Sequence, residues 1–183
     1  MPIGRLALRK GVVVKKHTIS VLVENNFGVL ARVSGMFSAR GFNINSLCVG
    51  ETEDPSISRM TVVVRGDDMA LAQIIQQLNK LVDVIGVKDL TQESFVEREL
   101  VMLQVSAASQ NRSEIIEMAS IFRAKVVDVG TESIILEATG AEGKITAFVD
   151  MMRAFGIEKL VRSGEIAISR SKKVGAPVVE EGV

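Results

Sequence analysis

Chemistry at a protein site needs a nucleophile, a general acid or base, or a set of metal ligands, and this chain carries few of any. It has one histidine, His17, and one cysteine, Cys48, among 183 residues. His17 opens a predicted strand, where a structural or solvent-facing role outweighs catalysis. Cys48 lies in an apolar strand with no histidine nearby in sequence, which fits inert packing better than an activated thiolate. One imidazole and one thiol cannot make a soft metal site. Glu51, Glu53 and Asp54 are close together, but Pro55 follows them, as in a solvated loop. The run Gly140-Ala141-Glu142-Gly143-Lys144 imitates a phosphate loop, yet its glycine spacing is wrong and Ile145 replaces the required hydroxyl. It reads as a strand-to-helix turn.

What remains is binding chemistry without net charge. The stretch ENNFGVLARVSGMFSARGFNI puts Asn25, Asn26 and Gly28 at one end of a predicted helix and Gly41 and Asn43 at the other. A helix start leaves N–H groups without helical acceptors and carries about half a positive charge. Gly28 permits a positive φ and leaves the first turn uncovered. The N–H groups of Gly28, Val29 and Leu30 can then reach a small carboxylate. The amide of Asn43 can accept from an ammonium group, and Ile44 and Leu30 offer apolar surface. Together they describe a site for a zwitterion with a small apolar side chain. The competing account is local: Asn25 and Asn26 cap the turn, Gly41 ends the helix, and Asn43 fills a turn position.

The elements that must place these residues follow from periodicity. Residues 17–24 alternate and are β-rich, which predicts a strand. Val29, Leu30, Val33, Met36 and Phe37 recur at helical spacing, and Gly41 supplies a left-handed stop. Strands follow at 43–52 and 58–64. A second helix, opened by Gly66-Asp67-Asp68, carries Leu71, Ile74, Ile75 and Leu78, and a fourth strand spans 81–90. The order β-α-β-β-α-β then recurs: strand 99–107, helix 109–123, a hairpin of 125–129 with 133–138, helix 143–155 and strand 157–168. The fold class is therefore α+β, with two tandem βαββαβ ferredoxin-like domains at 17–91 and 99–170. A polar linker at 92–98 joins them. A basic extension, 1–16, precedes them, and a flexible tail, 171–183, follows. Each half is marginal alone. The 43–52 strand should be a sheet edge with neither Pro nor Lys to discourage pairing, so two copies should join edge to edge about a two-fold axis. Asn43 of one copy would then close over a ligand held by the other copy's turn.

Composition removes other classes. Hydrophobic residues make up 47%, enough for a packed core, and the formal net charge is zero. Nothing in that balance attracts nucleic acid, and without Trp or Tyr a base-stacking platform would rest on Phe alone. No apolar run approaches the roughly 18 residues of a membrane span. A single cysteine excludes an internal disulfide and fits a reducing, cytoplasmic setting. Arg5, Arg9, Lys10, Lys15 and Lys16 have no acidic neighbours in sequence, which predicts a solvated or loosely docked extension, with a partner-docking arm as the alternative.

The segments ISVLVENNFGVLARVSGMFSARGFNINSL, EDPSISRMTVVV and QLNKLVDVIGV, then VERELVMLQV, IFRAKVVDV and VRSGEIAISR, resemble the small regulatory subunit of acetolactate synthase (acetohydroxyacid synthase) over about residues 18–170. The resemblance implies that the first domain is an ACT domain. It also implies a non-catalytic chain that binds and activates a large catalytic subunit and confers feedback inhibition by valine or another branched-chain amino acid. Thiamine diphosphate, Mg²⁺ and FAD would belong to the large subunit, with no cofactor in this chain. The family's effector contacts fall on Asn25, Gly28, Val29, Leu30 and Asn43. Asn26-Phe27 fills a part of the loop that varies in the family, and Asn45 replaces an acidic residue of some members. The alternative on the residues alone is a free-standing amino-acid sensor. A DNA-reading helix, metal-sensing ligands and a catalytic set are all missing from the sequence.

Overall fold

A computed structural model describes residues 14–171. The tail from 172 and the extension up to 13 lie outside the described residues. The first half runs β1 (Lys15–Glu24), α1 (Val29–Ala39), β2 (Ile44–Glu51), β3 (Ile57–Gly66), α2 (Asp68–Leu78) and β4 (Val84–Asp89). The second runs β5 (Phe95–Ser106), α3 (Arg112–Ile121), β6 (Lys125–Val129), β7 (Ser133–Gly140), α4 (Glu142–Met152) and β8 (Ile157–Ser169), with a 3-10 turn at Arg153–Phe155. Both sheets are antiparallel and have the same order, β2-β3-β1-β4 and β6-β7-β5-β8. The chain is thus two tandem βαββαβ domains of the ferredoxin-like type.

Each sheet buries one face under its own two helices. In the first domain Ile19, Val21 and Val23 of β1 and Met60, Val62 and Val64 of β3 meet Val33, Phe37, Leu71, Ile74 and Leu78 from the helices. The period-2 alternation of the strands and the three-and-four spacing of the helices converge on that layer. Leu103, Val105, Ile115, Ile134, Leu136 and Phe148 build the matching core in the second domain. The second helix starts where an acidic cap was expected: the Asp67 side chain accepts from the Ala70 N–H at 2.7 Å. His17 is fully buried, with its Nε2 3.2 Å from the Gly66 carbonyl oxygen.

The helix-free face of the first sheet is mostly polar, with Val63 its buried apolar member on β3. Residues 16, 18 and 20 of β1 and 59, 61 and 63 of β3 project there, and Thr18, Ser20 and Thr61 are buried. What covers them is the second domain. Strand β5 begins at Phe95 and β8 runs to Ser169, so their paired ends, Phe95 with Ser169 through Glu99 with Glu165, form a ribbon. That ribbon includes most of the 92–98 stretch predicted as a linker. β1 likewise begins at Lys15, two residues before the predicted strand start. Lys15 and Lys16, predicted to belong to a solvated or loosely docked extension, are ion-paired with Asp68 and with carboxylates of the second domain.

Candidate functional site

The start of α1 is built as the glycine requires. Gly28 sits at the N-cap with φ 80° and ψ −2°, and no side chain caps the helix. Its carbonyl accepts from Arg32 N–H at 2.9 Å, which closes the first helical bond. The Val29 N–H reaches only the Asn26 carbonyl, at 3.4 Å. The helix therefore begins with donors poorly engaged by the chain itself, as an anion site needs.

Arg32 holds this end in place. Its Nε donates to Asp83 Oδ2 at 2.6 Å and its Nη2 to Asp83 Oδ1 at 2.8 Å. These hydrogen bonds hold the Asp83 carboxyl below the usual carboxylate range. The Asp83 carbonyl in turn accepts from the Glu24 N–H at 2.9 Å, tying the loop before β4 to the end of β1. Phe27, in the same turn as Gly28, is wholly exposed.

A cleft of about 240 Å³ opens beside the helix start, lined by Asn25, Asn26, Val29, Leu30, Val49 and Glu51 among others. Asn25, Val29 and Leu30 from the predicted set therefore meet here. Val29 is buried as part of the floor, and Leu30 is 42% exposed at the rim. Asn25 does not hold its amide free: Nδ2 donates to Glu51 Oε1 at 3.1 Å and to the Pro55 carbonyl at 2.9 Å. Asn26 donates to Glu24 at 2.9 Å. Val49 and Glu51 were missed by sequence reasoning. Their signal is the β2–β3 register, Val49 with Met60 and Glu51 with Ser58, which turns both toward the helix layer.

Asn43 and Ile44 do not line this cleft. Asn43 precedes and Ile44 begins β2, beyond the C-terminal end of α1, and an 11-residue helix is about 16 Å long. Asn43 is exposed and Ile44 is half-buried against the core. β2 is an edge strand, as expected, since it pairs with β3 alone.

Residues 140–144 form the expected strand-to-helix turn, and the Lys144 ammonium is spent on the Thr139 carbonyl at 2.8 Å. Cys48 is half-buried on the β2 edge rather than enclosed. Among the described residues no group of three or more His, Cys, Asp or Glu side chains is placed to hold a metal, and no helix is long and apolar enough to cross a membrane.

Comparison with known proteins agrees with this architecture. Residues 19–86 match the family described as AHAS small subunit-like ACT domain, and residues 98–171 match the family described as small subunit of acetolactate synthase. A protein of Archaeoglobus fulgidus named "Probable acetolactate synthase small subunit" is 55% identical over 86% of this chain and 99% of its own length. The acetolactate synthase small subunit of Mycolicibacterium smegmatis is 49% identical over 87% of this chain and 95% of its own. The crystal structure of the acetolactate synthase small subunit of Thermotoga maritima superposes with a TM-score of 0.79 at 39% identity, covering 86% of this chain and 99% of that one.

Proposed function

Since the chain belongs to the family of acetolactate synthase small subunits, we propose that it is a non-catalytic regulatory subunit that binds a large catalytic subunit, raises its activity and makes it sensitive to a branched-chain amino acid such as valine. The observation that carries this reading is the cleft between the uncapped start of α1 and the open edge strand β2. The effector's carboxylate lies on the helix start, and Val29, Leu30 and Val49 receive its side chain. In this reading thiamine diphosphate, Mg²⁺ and FAD stay on the large subunit, and the complex works in the cytoplasm.

A second copy completes the site. Two β2 strands paired antiparallel about Leu47 set Asn43 of one copy opposite Glu51 of the other, and Glu51 lines the cleft. The geometry supports an inter-chain site because Asn43 has no means of reaching the cleft of its own chain. Inhibition further requires that the effector bind the inhibited assembly more tightly than the active one; tight binding alone shifts nothing.

Calorimetric titration of the full chain with valine, leucine and isoleucine, beside an Asn43→Ala variant, tests the site. Saturable binding of one of them in the wild type and its loss in the variant are expected. Equal binding by both proteins refutes the inter-chain role of Asn43. Co-purification with the co-expressed large subunit tests the partner, and failure of the two to associate leaves a free-standing sensor.

A further inference from the structure

The cleft and the boundary between the two domains share one element, strand β2. Val49 and Glu51 line the cleft, while Ser46, three residues before Val49, is bonded to the second domain. The Glu165 N–H donates to Ser46 Oγ at 2.9 Å, and the Ala167 N–H donates to Thr61 Oγ1 at 3.3 Å on the neighbouring β3. The approach is close enough to demand glycine on the other side. Gly164 has φ +82°, and a Cβ there would stand 3.0 Å from Ser46 Oγ and 3.1 Å from the Leu47 carbonyl oxygen.

Next to this contact Lys16 gathers carboxylates from three elements of the second domain. Its Nζ lies 2.6 Å from Glu165, 2.8 Å from Glu142 and 3.5 Å from Glu97. Thr18 Oγ1 donates to the other oxygen of Glu165 at 3.0 Å, and the Glu142 N–H donates to Glu97 at 3.2 Å. One ammonium faces three carboxylates, one of them only 8% exposed. Lys16 is the cation bonded to all three, and Arg65 and Arg162 add positive charge near Glu142. The short connection between the domains is pinned to β1 by the Thr18 N–H, which donates to Thr91 Oγ1 at 3.0 Å, so it does not swing freely.

We propose that β2 is the element through which the state of the cleft reaches the second domain, with Ser46 and Lys16 as the positioning residues that pass it to Glu165 on β8. The proposal rests on the reading of the cleft as an effector site and names the route of its regulation. A strand advances about 3.3 Å per residue and is stiff along its length, so a ligand that shifts Val49–Glu51 displaces Ser46 about 10 Å away. β8 carries the displacement onward because it is paired with β5 from Phe95 to Val105.

Amide hydrogen exchange on the full chain reads the boundary directly, because the Glu165 and Ala167 N–H groups donate across it. The ligand-free comparison uses the wild type, Lys16→Met, Ser46→Ala and Lys16→Arg. In Lys16→Met and Ser46→Ala, protection at Glu165, at Ala167 and at the β2 amides should fall together by about tenfold, with Val21 and Leu103 unchanged and Lys16→Arg close to wild type. Loss at Glu165 and Ala167 with β2 unmoved, or no loss in either variant, overturns the proposal. With valine added, wild-type exchange at Glu165 and Ala167 should change, while both variants bind valine and show no such change. Binding by the wild type without a change at those two amides also overturns it. If the wild type binds no amino acid, the effector reading fails, and the ligand-free comparison still decides the link between β2 and β8.

Discussion

Replacing Gly28 by alanine tests whether the helix start is built on a left-handed residue. At φ 80° a Cβ costs about 1–2 kcal/mol. Restricting the unfolded chain returns about 0.4–1 kcal/mol of that. The new methyl also stands 3.1 Å from Arg32 Nη1, and that guanidinium is fixed on Asp83 by its other two nitrogens. The net loss is about 1 kcal/mol, which lowers Tm by roughly 2–4 °C for a chain of this size. Gly35 is the internal control. It sits exposed in the middle of the same helix, and a methyl added there would meet nothing within 4 Å. Gly35→Ala should therefore gain about 0.5–1 kcal/mol from helix propensity. Thermal unfolding followed by circular dichroism at matched concentration measures both. The two variants must move in opposite directions; a Gly28→Ala protein as stable as wild type refutes the account of the helix start.

Asp67→Ala removes the side-chain cap of α2 and should cost about 1 kcal/mol in urea denaturation, with Asp67→Asn nearly neutral. Phe148→Ala empties a fully buried site whose ring stands 5.4 Å from that of Phe122, and should cost about 3–5 kcal/mol. Burial pushes the Glu165 carboxyl above its usual 4.5, against the pull of Lys16. The folded chain therefore binds its proton more tightly than the unfolded chain, so this contribution is present at low pH and lost as pH rises through the shifted value. Glu142, held low by Lys16, has the opposite sign, and its contribution is lost only as pH falls below 4.5. Between pH 7 and 4.5 the wild type should gain stability on acidification relative to Glu165→Gln; a constant difference across that window refutes the burial argument.

Periodicity reported the elements whose neighbours are local. The apolar residues of α1 and α2, the cap at Asp67 and the hairpin of β6 with β7 all follow from spacing and turn chemistry within a dozen residues. The Phe95–Arg98 part of the ribbon escaped because its partners are about 70 residues away, on β8. Its charges, Glu97 and Arg98, look like those of a linker until Lys16 stands beside Glu97. Lys16 was opaque for the same reason, since its three carboxylates lie 81 to 149 positions along the chain. In the cleft, Val29 and Leu30, with Gly28 at the N-cap before them, were legible because a helix start is a local object. Glu51 was not, because only the β2–β3 register puts it on the helix side of the sheet, where it accepts from Asn25.

The hydroxyl-lined face of the first sheet has a consequence for synthesis on the ribosome. Strand β4 ends at Asp89, whereas β8, which covers Thr18 and Thr61, ends at Ser169. The intervening 80 residues, 169 minus 89, take roughly 4–16 s to translate at about 5–20 residues per second. Throughout that interval a folded first domain presents this face to water uncovered. A sheet surface of valine and isoleucine would invite neighbouring nascent chains to stick. Lys16, Thr18, Ser20, Arg59 and Thr61 surround Val63 with groups that water can solvate, and the nascent half can wait in solution for its cover.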